Sequence, residues 1–122
     1  MRSSDWLLAR FRQRDAGMVT AELAACLPVL AFMVIAGLAA ISVADQQVRA
    51  QDAAREVARA DARGDPESAA RLFTQTAPAG AVVSTVTTAG EVTATVRVTL
   101  RPFGGAIGHY SIVERAVAAT EP

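Results

Sequence analysis

Few side chains in this 122-residue chain could do covalent or acid–base chemistry. Its histidine, His109, lies two positions before Ser111, so in a strand both would face one side. A nucleophilic pair would still need a placed carboxylate to orient the imidazole. Cys26 is the only cysteine, and no Cys or His pair has metal-ligand spacing. Lysine is absent, and with it any glycine-rich phosphate loop that ends in lysine. These residues point away from an enzyme, and no cofactor, metal or small-molecule substrate is expected. What remains is a glutamate in an unusual place. In "DAGMVTAELAACLPVLAFMV", Glu22 stands directly before 22 uncharged residues, 23–44, which end at Asp45. A carboxylate there can hold a cation at the edge of an apolar medium.

The elements that must position it begin with the apolar run itself. At about 1.5 Å per residue, residues 23–44 span roughly 33 Å as a helix, enough for a hydrocarbon core of about 30 Å. Pro28 removes a backbone donor and crowds the carbonyl of Ala24, so a bend is expected there. Arg2, Arg10, Arg12 and Arg14 face only Asp5 and Asp15 before Met18. A basic head before an apolar run orients the N-terminus to the cytoplasm, and Trp6 suits an anchor at the interface. No basic patch or aromatic platform follows, so nucleic acid is not an expected partner. Cys26 reads as packing filler. Ala36, Ala40 and Ala44 recur at intervals of four with Gly37 beside them, a stripe of small residues on which another helix can approach closely.

Three fates fit such a segment. It could remain as an uncleaved single-pass anchor. It could be a secretory signal cut after Ala44, where Ser42-Val43-Ala44 gives a small-x-small pattern and releases a soluble binding module. The run is longer than the about 7–15 apolar residues usual in a signal peptide. It could also follow a short leader that is cut on the cytoplasmic side, leaving the apolar helix on the mature protein.

The stretch "RDAGMVTAELAACLPVL" resembles the processing site of class III signal peptides. With "DAAREVARADARGD" and the closing "RAVAATEP", the chain resembles TadE-like minor pilins, or pseudopilins, of tight-adherence pilus systems. The resemblance covers most of the chain from Asp15 on. It implies that a prepilin peptidase cuts between Gly17 and Met18, and that Glu22, fifth in the mature chain, meets the new N-terminal ammonium of an adjacent subunit during assembly. The chain's own ammonium on Met18, four residues away, is a second candidate. The implied partners are that peptidase, other pilins and the pilus assembly platform, in or at the cytoplasmic membrane. Leu23 stands where the short major pilins of these systems usually carry an aromatic residue, which favours a minor component. Without the resemblance, glycine at 17 already suits a backbone entering a peptidase site in extended form.

Beyond the run, Ala50, Ala53, Ala54, Val57 and Ala58 follow helical spacing and give one stripe of small residues. Asp45–Arg49 and Glu56–Arg59 are spaced to pair along this helix. Gly64 suits its stop; Asp65 then reads as an N-cap, with Pro66 opening a second helix to about Thr76. After Pro78 and Gly80 the period changes to two. "AVVSTVTT", "EVTATVRVTL" and "YSIVERAVAA" read as strands, the first two joined at Ala89-Gly90. Val92, Ala94, Val96, Val98 and Leu100 share the face that the alanine stripe should cover. The predicted fold is α+β: a long helix, a short helix and a three-stranded antiparallel sheet, like a reduced type IV pilin. Its organisation reads as a leader over 1–17, a membrane and assembly helix over 18–44, a helical continuation over 45–63, and a small extracytoplasmic domain over 64–122. In "RPFGGAIGHY", Phe103 and Ile107 among glycines either cap the core edge or offer a contact to another pilin.

Overall fold

Alanine, leucine and arginine, all strong helix formers, crowd the first half of the chain. In the computed structural model, which describes residues 5–121 and side chains from Gly17 on, they form one helix, α1, over Asp5–Ala62. Met1 to Ser4, and the side chains of Trp6, Arg10, Arg12 and Arg14 on which topology and anchoring were read, lie outside the described residues. The helix passes both Gly17 and Pro28 without interruption. A break between leader and mature segment is therefore not written into the backbone. One glycine costs a helix only about 1 kcal/mol against alanine, too little to stop it between good formers.

The chain divides into two compact units, Met1–Leu38 and Ala39–Pro122. In the first, the described side chains are all exposed, and they include Leu23, Leu27, Leu30, Phe32, Met33 and Ile35. A helix that is apolar all round has no stable place in water.

The second unit begins with the end of α1. Its stop is a Schellman motif: the Gly64 N–H donates to the Asp61 carbonyl at 2.9 Å, and the Asp65 N–H to the Ala60 carbonyl at 3.1 Å. The motif needs a left-handed residue, and Gly64 supplies it with φ of 74°. Helix α2, Pro66–Thr76, starts at once, capped by Asp65, whose Oδ1 accepts from the Ser68 N–H at 2.9 Å. Strands β1 (Val82–Thr88), β2 (Glu91–Leu100) and β3 (Tyr110–Ala119) form an antiparallel sheet in the order β1-β2-β3. Ala89 and Gly90 both have positive φ, 50° and 85°, as the two-residue hairpin turn requires.

The core sits between the α1 stripe and the sheet. Ala50, Ala53 and Ala54 pack with Val96, Val98 and Ile112; Val57, Ala58 and Ala60 pack with Ala69 of α2 and Ala94. Both helices and the sheet therefore meet through small side chains. Ile112 lies opposite Val98 in the register, which carries the buried face of β2 onto β3. The C-terminal tail closes the unit: Thr120 donates from its N–H and its hydroxyl to the Gly90 carbonyl, and the Glu121 N–H donates to the Ala62 carbonyl at 3.1 Å.

Charge pairing on α1 differs in part from the sequence reading. Arg49 meets Asp45 at 3.3 Å as spaced. Among the described residues no ion pair joins Glu56 to Arg59; Arg55 instead reaches back to Asp52 at 3.8 Å. Exposed pairs of this kind decide little, since solvent and salt screen them.

Asp65 offers a pH test of the α1–α2 junction. Its carboxyl is held below the ordinary value of 3.8, first by hydrogen bonding with the Ser68 side chain and then by the Ser68 backbone N–H. A depressed folded pKa means that the cap contributes stability at neutral pH. That contribution fades as pH falls from the ordinary value through the lower folded one. Amide exchange at Ser68 should accelerate over that acidic window in the native chain. In Asp65→Asn, which can still cap, exchange should lack the acid-dependent part. An identical pH profile in both chains would exclude the carboxylate as its source.

Candidate functional site

The residues singled out by the sequence fall in two places. Gly17, Met18 and Glu22 lie on consecutive turns of α1, all exposed. A Cβ built on Gly17 meets nothing within 4 Å, so the helix itself has no steric need for glycine there. Glu22 is exposed, and among the described residues no hydrogen bond or ion pair holds its carboxylate. The next turns present Leu23, Cys26 and Leu27 to the surroundings. Cys26 is exposed rather than packed, because a lone helix has no second layer to bury it. The geometry is a carboxylate that no described residue pairs, at the head of an apolar helix. Such a group can bind an amine or guanidinium, and in a dry setting it requires one.

Ala36, Gly37, Ala40 and Ala44 are exposed as well. Within the second unit, the residues of α1 that turn inward over this stretch are Ala39, Val43 and Gln46, each partly buried. The small stripe at Ala40 and Ala44 is therefore not used for packing inside the unit, and it remains available to another helix. Among the described residues, the helix containing it, from Gly17 to Ala62, is long and apolar enough to cross a membrane.

The second place is the β2–β3 connector. Residues Pro102–Gly105 make a tight turn in which Phe103 and Gly104 take left-handed backbone, with φ of 54° and 67°. A non-glycine residue held there costs about 1–3 kcal/mol. The turn does not seal the core. Ile107 is 73% exposed and Phe103 46%, so capping of the core edge, the first expectation for this pair, is not what they do. Gly104, Gly105 and Gly108 all take positive φ, so the chain turns tightly around both side chains. Phe103 instead borders a groove formed with Ala39, Ser42, Val43, Gln46, Leu100, Arg101 and Pro102. The Oε1 atom of Gln46 is shielded from solvent and has no hydrogen-bond partner.

The sequence reading missed this groove. Its signal was present: Val43 and Gln46 precede Ala50, Ala53 and Val57 at alternating three- and four-residue steps. Extending the extramembrane stripe backward across Asp45 would have found them. His109 and Ser111, the other chemistry-bearing pair, are both exposed; His109 borders a shallow depression with Arg101, Gly104, Gly105 and Gly108.

Comparison with known proteins bears on the helix more than on the connector. The family model described as "TadE-like protein" matches residues 17–59, beginning at Gly17 and ending within the α1 stripe. The Mycobacterium tuberculosis protein named "Apoptosis inhibitor Rv3655c" is 34% identical over 101 residues, covering 83% of this chain and 78% of the relative. No solved structure matches the chain.

Proposed function

The chain belongs to the TadE-like family and is a component associated with the tight-adherence pilus, and from that premise we propose that it acts as a minor pilin or pseudopilin. In this reading a prepilin peptidase cuts between Gly17 and Met18. The segment over 18–44 then holds the protein in the cytoplasmic membrane as a single pass, with the arginine-bearing leader inside and the domain over 64–122 outside. The helical stretch 45–63 links the two. Assembly brings Glu22 to the N-terminal ammonium of an adjacent subunit, while Ala36, Gly37, Ala40 and Ala44 let another pilin helix approach. The protein's contribution is structural: it helps initiate, tip or regulate the fibre in company with other pilins and the assembly platform.

One observation carries this reading. Glu22 has no counter-ion among the described residues and stands at the head of an exposed apolar helix, five positions after a glycine for which the helix has no steric use. A simple anchor would need neither residue. Assembly on a neighbour's amine uses the carboxylate, and the cleavage that frees such an amine uses the glycine.

A second reading is favoured by a different fact. Every buried residue of the second unit lies after Ala44, the first being Ala50. Cleavage after Ala44 would therefore release a module that keeps every fully buried residue and loses only the flanking Val43, which packs against that core. The name of the mycobacterial relative assigns that protein an inhibition of apoptosis, an action that an exported module could have. The mature N-terminus decides between them. N-terminal sequencing of protein from cells with a working prepilin peptidase should begin at Met18. Asp45 would establish the released module, and Met1 an uncleaved anchor. Gly17→Trp should then accumulate precursor that retains residues 1–17, with the helix unperturbed because the site is open.

A further inference from the structure

We propose that the β2–β3 connector, residues 101–109, is a second membrane contact, a lip that enters the outer-leaflet interface beside the span. The inference rests on the reading that residues 23–44 cross the bilayer, and it goes beyond it. The groove bordered by Phe103 places the connector alongside Ala39, Ser42 and Val43, which belong to the last turns of the apolar run. Twenty or so helical residues fill the hydrocarbon core, so these turns lie at its outer boundary. Anything packed beside them shares that depth.

The connector's composition suits this depth. On the connector Phe103 is 46% exposed and Ile107 73%, and Tyr110, which opens β3, is 57% exposed beside them. Aromatic rings collect at the headgroup level, where an apolar body and a polar tip both find partners. The exposed Arg101 guanidinium stands where lipid phosphates would lie. Phe103, Gly104, Gly105 and Gly108 all hold positive φ, and the connector they shape leaves Ile107 exposed. In water that arrangement exposes apolar surface at a conformational cost. At a bilayer surface the same exposure becomes burial, since apolar groups gain free energy roughly in proportion to area removed from water. The occupant is lipid: the helix that lines the groove with the connector is the one read as crossing the bilayer.

Depth measurements on the full chain test this. In a Cys26→Ser background, single cysteines replacing Ile107, Thr88 and Leu30 are labelled with a polarity-sensitive fluorophore. The proteins are reconstituted into phosphatidylcholine–phosphatidylglycerol vesicles. Thr88, at the other end of the sheet, reports solvent, and Leu30 reports the middle of the run. The Ile107 label should be quenched by lipids brominated near the headgroup, and its quenching by aqueous iodide should fall at least about threefold below that at Thr88, as shallow insertion requires. An Ile107 label as open to iodide as Thr88, with Leu30 quenched by lipid, would overturn the lip while leaving the span intact. Shielding from iodide without quenching by lipid would assign the connector to a protein partner and equally overturn it. No lipid quenching at Leu30 would defeat the spanning helix, and the lip with it.

Discussion

Glu22→Ala should leave membrane insertion unchanged and reduce co-assembly with partner pilins by about tenfold or more. The size follows from the kind of bond removed. A hydrogen bond to a charged group contributes roughly 1.5–3 kcal/mol, and about 1.4 kcal/mol is a factor of ten in an equilibrium. Within the chain the change removes no contact, since no described residue pairs with this carboxylate. Insertion should improve slightly if anything, because a charge in a membrane helix carries a cost. Resistance to alkaline extraction reports the first half of the expectation. Co-purification with pilins after cross-linking, against equal amounts of membrane-bound protein, reports the second. Normal co-assembly of the alanine variant would remove Glu22 from the mechanism and leave it an interfacial side chain only.

Ala54→Leu should destabilise the second unit by about 1–3 kcal/mol, the usual cost of forcing extra methylenes into a filled core. Ala50, Ala53 and Ala54 have no exposed surface, and they meet Val96, Val98 and Ile112 directly. Their methyls set how near the helix backbone lies to the sheet. A leucine would have to push the two apart along the whole stripe. For a unit of this size each kcal/mol shifts the melting temperature by roughly 4–8 °C, which a thermal scan of detergent-solubilised full chain resolves. Ala40→Leu is the matched control. Ala40 is exposed, so its enlargement should leave the melting temperature within the small range of ordinary surface changes. Equal losses from both substitutions would mean that the alanine stripe does not govern the helix–sheet distance.

Much of this architecture was legible because its signals are local. The period-two alternation of Val92, Ala94, Val96 and Val98 gave β2 with its boundaries and its buried face, and all four are buried. Gly64, Asp65 and Pro66 gave the helix stop, the cap and the next start, because left-handed φ, a short acceptor side chain and a missing N–H are properties of those residue types. Ala89-Gly90 gave the hairpin for the same reason. The start of α1 was not legible. A functional boundary was expected to be a structural one, yet the residues on both sides of Gly17 favour helix. Ala60 and Ala62 were missed as core residues because their cover comes from other elements: Ala60 packs in a cluster with Ala69 of α2 and Ala94 of β2, and Ala62 is met by the C-terminal tail at Glu121.

By itself the sequence determined the elements, the apolar run, the carboxylate before it and the alanine stripe, since helical and strand periods and backbone preferences act over a few residues. Only the tertiary structure decided where the connector lies and what it leaves uncovered. That outcome depends on which α1 residues share a groove with Phe103 and on a turn through four residues of positive φ, and distances of some sixty positions along the chain carry no periodic signal.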